Sequence, residues 1–284
     1  MLLPKSILVV DDDAEVPFLL GRRLPSGEWS IESETSGDRA LLRVAARKYG
    51  VVLAALETPG VGDVEFVRRL RRIRPDARVF VTSAAATPVG VIESIRAHVF
   101  AHFSKPFDAE ALVQMIIQAV DTPAWTDGIE ILSALPQWID LRVRCKLVTA
   151  DRLVQFLREM KLDLPPEERE GIATAFREML VNAMEYGGHF DPEQTVEVSY
   201  IRTDSSLVYC IGDPGSGFSL DQLPHAAISN ADEAPSQHML YRMEHGMRAG
   251  GFGILLAKGL VDELVYNERG NKVLLIKYLK GKRN

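Results

Sequence analysis

Cysteine is almost missing from this chain: Cys145 and Cys210 are the only two in 284 residues. So few cysteines exclude a disulfide-stapled scaffold and predict a reducing cytoplasm. No uninterrupted apolar run approaches the roughly 20 residues that a membrane-spanning helix needs, so no membrane association is expected. The opening Met1-Leu-Leu-Pro-Lys-Ser6 leads straight into a strand-like run and lacks the basic, apolar and small-residue order of an export signal. A basic excess is lacking too. Basic and acidic residues balance over the first 120 positions, so the whole formal charge of -6 falls in the remainder. Neither part has the electrostatic footprint of a nucleic-acid binder, and direct nucleic-acid contact is not expected. There is no internal repeat and no low-complexity segment. What is there is ordinary globular material, 46% hydrophobic and 25% charged, long enough for two domains with a core each.

The first 120 residues alternate short apolar runs with amphipathic stretches, the order of strands and crossover helices in a parallel sheet. Ile7 to Val10, Val51 to Leu56 and Val79 to Thr82 read as strands buried on both faces. Leu19 to Leu24, Ala40 to Lys48 and Val64 to Ile73 carry helical spacing, and Asp108 is placed to cap a last helix over Ala109 to Val120. The breaker-rich Asp121-Thr-Pro-Ala-Trp-Thr-Asp-Gly128 then suggests a linker over 122–137. The expected division is therefore 1–121, an α/β domain with a doubly wound parallel sheet, and 138–284, an α+β layer. In the latter a strand over Trp138 to Cys145 precedes helices at about Asp151 to Lys161 and Pro165 to Tyr186. Strands near Val196 to Arg202 and Leu207 to Gly212 follow, then a helix from Phe252 and a closing strand pair, Leu264 to Asn267 and Lys272 to Leu279.

In the first domain, Asp11 and Asp12 end a buried strand, where ligands of open parallel sheets bind. Adjacent carboxylates repel unless a cation or a lysine joins them, which makes a divalent metal such as Mg2+ a candidate. Ser83 and Lys105-Pro106 fall at the ends of other strands. As a set, with Pro59-Gly60 after the third strand, these residues resemble bacterial response-regulator receiver domains over nearly all of residues 5–120. The resemblance implies an acidic pair at Asp11 and Asp12, a hydroxyl at Ser83 and a Lys-Pro bond in cis. It also exposes a gap. The phosphoacceptor aspartate belongs four residues before Pro59, where this chain has Ala55, and His102 stands where a switch aromatic would. This half therefore reads as a pseudo-receiver for docking or dimerisation; phosphorylation through Glu57 or cation binding alone is the weaker alternative. Arg68, Arg69, Arg71, Arg72 and Arg74 are read as a solvated helix face around buried Phe66, Val67, Leu70 and Ile73, with a docking patch for an acidic partner as the alternative.

In the second domain, Glu178, Asn182 and Tyr186 share one helix face at i, i+4, i+8 spacing. A strand runs into Asp213-Pro-Gly-Ser-Gly-Phe218, where a carboxylate can accept from an exocyclic amine and glycines let backbone approach a flat ring. Gly246-Met-Arg-Ala-Gly-Gly-Phe-Gly253 opens a helix whose free N–H groups suit a triphosphate. These three elements in this order resemble the Bergerat-type ATP-binding fold over residues 138–280, and within it the anti-sigma-factor serine kinases. That resemblance implies ATP and Mg2+ as ligands, Glu178 as general base and Asn182 as the magnesium ligand. It also implies an adenine contact at Asp213, a base pocket shaped by Gly215 and Gly217, and phosphate contacts from Gly250, Gly251 and Gly253. Tyr186 replaces the family's histidine.

A lid is expected over 222–251. Its His225, His238 and His245 have loose spacing and no cysteine nearby, which argues against zinc. Arg242 or Arg248 is the better phosphate contact, guanidinium matching phosphate geometry. Residues 121–150 are too short and broken for the dimerising, histidine-bearing helix pair of a histidine kinase. The implied activity is transfer of the ATP γ-phosphate to a serine or threonine of a STAS-type anti-sigma-factor antagonist, with a sigma factor and a second copy of the chain as other partners. The rival reading is a nucleotide-gated binding protein without kinase activity.

Overall fold

A computed structural model describes residues 5–84, 86–122, 127–160, 164–218 and 253–279. Contacts divide the chain into two compact units, Met1–Asp127 with Gln155–Lys161, and Gly128–Val154 with Leu162–Asn284. No helix among the described residues is long and apolar enough to cross a membrane.

The first unit runs β1 (Ser6–Val10), α1 (Glu15–Arg23), β2 (Ser30–Glu34), α2 (Gly37–Ala46), β3 (Val51–Ala55), α3 (Val64–Ile73), β4 (Arg78–Ser83), α4 (Pro88–Arg96), β5 (Ala101–Ser104) and α5 (Ala109–Asp121). The five strands are parallel, in the order β2-β1-β3-β4-β5. The chain thus winds one way from β1 to β2 and the other way from β3 onward. That reversal opens a crevice beyond the carboxyl ends of β1 and β3, the binding place of doubly wound sheets. β1, β3 and β4 are buried at every position, the polar Ser6, Arg78, Thr82 and Ser83 at their ends included, as strands covered on both faces are. Side chains cap α3, α4 and α5, while α1 and α2 start without a side-chain cap. Asp63 accepts from Glu65 N at 2.7 Å, Thr87 from Gly90 N at 3.1 Å and Asp108 from Glu110 N at 2.8 Å, each satisfying an otherwise orphaned donor.

Edge strand β2, Ser-Ile-Glu-Ser-Glu, is held by charge instead. Glu34 pairs with Arg39 at 2.7 Å and with Arg43, while Glu32 meets Arg43 at 2.8 Å, Arg47, and the Tyr49 hydroxyl at 2.7 Å. The α3 arginines turn back onto their own domain. Arg69 reaches Asp38 at 3.1 Å, Arg74 donates to Val44 O at 3.0 Å, Arg71 to His98 O, and Arg68 contacts Glu65 at 3.4 Å. Phe66, Val67 and Leu70 are buried as expected from the sequence, but Ile73, at the end of the helix, is exposed, and the arginines are mostly engaged at home.

The second unit runs β6 (Ile129–Leu135), β7 (Trp138–Arg144), α6 (Leu147–Glu159, its C-terminal part counted with the first unit), α7 (Pro166–Asn182), a π-helical turn Ala183–Gly187, β8 (Thr195–Arg202), β9 (Ser206–Gly212), α8 (Gly253–Leu260), β10 (Glu263–Tyr266) and β11 (Lys272–Tyr278). The strands form one antiparallel sheet ordered β10-β11-β9-β8-β7-β6. Burial alternates along β7, β8 and β9, the mark of a sheet with one covered face. On that face Phe176 of α7 lies 5.5 Å from the Tyr209 ring, which lies 5.3 Å from Tyr200. Burial of the Phe176 ring contributes about 1.5–3 kcal/mol.

The architecture is the α/β receiver-like sheet plus α+β sandwich expected from the sequence. One boundary differs. The stretch expected as linker, 122–137, carries β6, paired to β7 from Ile129↔Val143 to Leu135↔Trp138. Its Ile-Glu-Ile-Leu-Ser-Ala-Leu follows so closely on the breakers Pro123 and Gly128 that the turn signals mask a strand.

Candidate functional sites

At the crevice of the first unit, β1 delivers Asp11, whose side chain is 2% exposed. Lys105 follows β5 and precedes a cis peptide bond to Pro106; its Nζ lies 2.7 Å from Asp11 Oδ2. The second carboxylate oxygen of Asp11 accepts from Asp13 N at 3.1 Å. Asp12 is exposed, and Ala55 ends β3 fully buried, with no polar side-chain atom to offer. Glu57 sits in the loop beyond and accepts from Ala84 N at 2.6 Å. Among the described residues no three His, Cys, Asp or Glu side chains converge to hold a metal. A cation on Asp11 and Asp12 would therefore draw its other ligands from water, as Mg2+ readily does. Lys105→Met is expected to cost about 2 kcal/mol, because it strands the buried Asp11 carboxylate without its charged partner. Urea unfolding of the two chains would read that loss, and a Lys105→Met/Asp11→Asn pair should regain part of it.

The hydroxyl at Ser83 faces inward. Its Oγ lies 2.8 Å from Nε2 of His102, and His102 Nδ1 lies 2.9 Å from Ser94 Oγ on α4. Ser94 spends its own hydrogen on Gly90 O at 2.9 Å, so it must accept from Nδ1–H, and Nε2 must accept from Ser83. His102 is 1% exposed, and burial lowers its pKa to about 4 against the opposing charge of Glu57. The imidazole is thus neutral, and both of its nitrogens are used. In the sequence His102 shows only as an aromatic missing from the position three before Lys105; nothing there links it to Ser83 or Ser94.

In the second unit α7 carries Glu178 and Asn182, both half-buried, toward the start of α8. The approach is close: a Cβ built on Gly253 would fall 2.8 Å from Glu178 Oε2 and 3.4 Å from Asn182 Nδ2. Beyond Asn182 the helix widens into the π-turn, with Gly188 N bonded to Ala183 O at 3.0 Å. This turn seats Gly187 on Asp213, where a Cβ would lie 2.2 Å from the carboxyl carbon. Tyr186, expected on the face of Glu178 and Asn182, is 52% exposed.

Asp213 caps its own loop by accepting from Gly215 N at 2.8 Å. Burial raises its pKa, while the Gly215 N–H and the Arg269 guanidinium work against that rise. A Cβ on Gly215 would come within 2.8 Å of Asp213 Oδ1, and Gly217 has a φ of +82°. The structure therefore gathers Glu178, Asn182 and Gly253 at one place, and Gly187, Asp213 and Gly215 at another within the same unit. Both cradles are of a kind that any side chain larger than hydrogen would fill. Gly250, Gly251 and Arg248, with the rest of the expected lid, lie outside the described residues.

Residues 7–117 match the family model of the response regulator receiver domain, and residues 144–277 that of the histidine kinase-like ATPase domain. The chain therefore joins these two domains, the pair of a signalling protein with an ATP-binding type of module. It is 27% identical over 138 residues to the transcriptional regulatory protein GlrR of Escherichia coli strain K12, covering 46% of this chain and 31% of that protein. To the chemotaxis protein CheY of Thermotoga maritima it is 26% identical over 113 residues, 39% of this chain and 94% of that one. The stretch matched thus spans about a third of the length of the first of these relatives. Among solved structures, a CheY-like receiver domain protein from Methanospirillum hungatei JF-1 is 20% identical with a TM-score of 0.39, covering 41% of this chain and 94% of that chain. A response regulator from Thermotoga maritima is 21% identical with a TM-score of 0.39, covering 42% and 100%.

Proposed function

We propose that this chain binds Mg-ATP in its second domain and transfers the γ-phosphate to a serine or threonine hydroxyl of a partner protein, as an anti-sigma-type kinase. The observation that carries the reading is the convergence of Glu178 and Asn182 on Gly253. A carboxylate, a side-chain amide and a helix start lie together, the set from which a base, a magnesium ligand and phosphate-binding N–H groups can be drawn.

Bound ATP supplies the phosphoryl group, and Mg2+ its charge neutralisation. The protein's part is positioning. Asp213, half-buried and backed by Gly187 and Gly215, accepts from the exocyclic amine of adenine. Asn182 holds the cation through its amide oxygen. Glu178 orients the incoming hydroxyl and takes its proton. Gly253 leaves room for all of this by contributing no side chain, with Gly250, Gly251 and Arg248 as further phosphate contacts.

The first domain acts in this reading as a receiver that takes no phosphoryl group on β3, because Ala55 has no oxygen to accept one. It serves in docking, in homodimerisation or in control of the ATP site. The partner is a STAS-type anti-sigma-factor antagonist or a sigma factor, and the setting is the cytoplasm.

Label transfer from γ-labelled ATP with magnesium into proteins of a source-cell extract tests the reading. An acid-stable labelled protein that appears with wild type and not with Asn182→Ala is the expected result. ATP binding without any labelled protein would instead favour a nucleotide-gated sequestering protein.

A further inference from the structure

The loop that carries Asp213 is held by a turn that no nucleotide-binding motif of the sequence includes. Between β10 and β11, Arg269 Nε donates to Ser216 O at 3.1 Å and its Nη2 to Gly215 O at 3.3 Å. Asn271 completes the hold: its carbonyl accepts from Asp213 N at 2.9 Å, and its Nδ2 donates to Asp213 O at 3.3 Å. Asn267 Oδ1 in turn receives Asn271 N at 3.1 Å and Lys272 N at 3.0 Å, which keeps the turn in shape. The two segments also interlock through glycine. A Cβ on Gly217 would lie 1.9 Å from Arg269 O, and one on Gly270 1.9 Å from Phe218 O.

We propose that Arg269 is a positioning residue for the nucleotide base: its guanidinium clamps the Gly215–Ser216 backbone and keeps the Asp213 carboxylate placed to receive an exocyclic amine. The inference rests on the ATP-site reading above and deepens it. Arg269 would not touch the nucleotide. It would act through the loop, by two hydrogen bonds and by a positive charge near a carboxylate that burial pushes toward the neutral form. Among the described residues, Tyr266 and Cys145 also sense Asp213. Burial pushes them up to about 12 and about 11, so both are uncharged at neutral pH, and Arg269 is the described charge that works against the rise of Asp213. Arg269 is exposed, so its replacement opens no core.

Arg269→Ala and Arg269→Lys give the test, with ATP titrations from pH 5 to 8 and ligand-free NMR titration of the Asp213 carboxyl carbon. The expected outcome for Arg269→Ala is about tenfold weaker ATP binding at neutral pH. Affinity should also fall away at higher pH than in wild type, Asp213 should titrate higher, and the thermal midpoint should be nearly unchanged. Lysine, which restores charge without the two-pronged hold, should recover the titration and only part of the affinity. Wild-type affinity and an unmoved Asp213 titration in Arg269→Ala would overturn the proposal. A wild type that fails to bind ATP would overturn the nucleotide reading instead, while the carboxyl titration would still decide the hold of Arg269 on Asp213.

Discussion

Glu178→Gln should lower phosphotransfer by about 10²–10⁴-fold while ATP affinity changes little. Glutamine keeps the length and shape of the side chain beside Gly253 but gives up its negative charge and its capacity to take a proton. The contact proposed for the adenine ring, Asp213, lies on a different loop, so ground-state binding has no reason to follow the rate. A fall in rate at constant affinity marks an interaction made in the transition state alone. Equal losses in rate and affinity would make Glu178 a ground-state ligand, and an unchanged rate would remove it from the chemistry. The decisive measurement is single-turnover transfer to the labelled partner at saturating ATP, paired with an ATP titration of the same protein.

Acid should weaken the first domain through His102 more than through any single exposed group. The unfolded chain takes up a proton on this residue near pH 6.5, whereas the folded imidazole refuses it until about pH 4. Through that window the unfolded state binds more protons, so stability falls as the pH drops and levels off above about pH 6.5. Integrated over the gap, the loss is about 3 kcal/mol. Urea midpoints followed from pH 7.5 to 4.5 should therefore slope more steeply in wild type than in His102→Gln, whatever the absolute stability of the variant. Parallel slopes would mean that His102 is protonated in the fold, and the Ser83–His102–Ser94 chain would have to be redrawn.

Much of this was legible in advance, for reasons that differ by element. β1, β3 and β4 announce themselves because each is centred on an unbroken apolar run, as strands covered on both faces are. β2 does not. Ser-Ile-Glu-Ser-Glu satisfies itself with arginines from α2, and an edge strand held by charge looks like a loop. β6 is hidden by the breakers before it. Of the candidate site, Glu178 and Asn182 share a helix face by their i, i+4 spacing, while Gly253 could be matched through its glycine-rich helix start and the family resemblance. Arg269 and Asn271 could not: their role comes from a hairpin turn meeting a distant loop, and turns leave no period in a sequence. The buried His102 is a third kind of miss, since a histidine looks the same in a sequence whether water or two serines surround it.

The π-turn at Ala183–Gly187 holds one residue more than an α turn would. An α-helix advances by about 100° per residue, and the wider turn takes up the advance of its extra residue within itself. Deleting one residue here would let the helix close into regular α form with the chain beyond it nearly in place, whereas the same deletion inside α7 would rotate everything after it by about that angle. Single-residue deletions should thus be tolerated far better within the turn than before it, as long as a glycine still meets the Asp213 carboxylate.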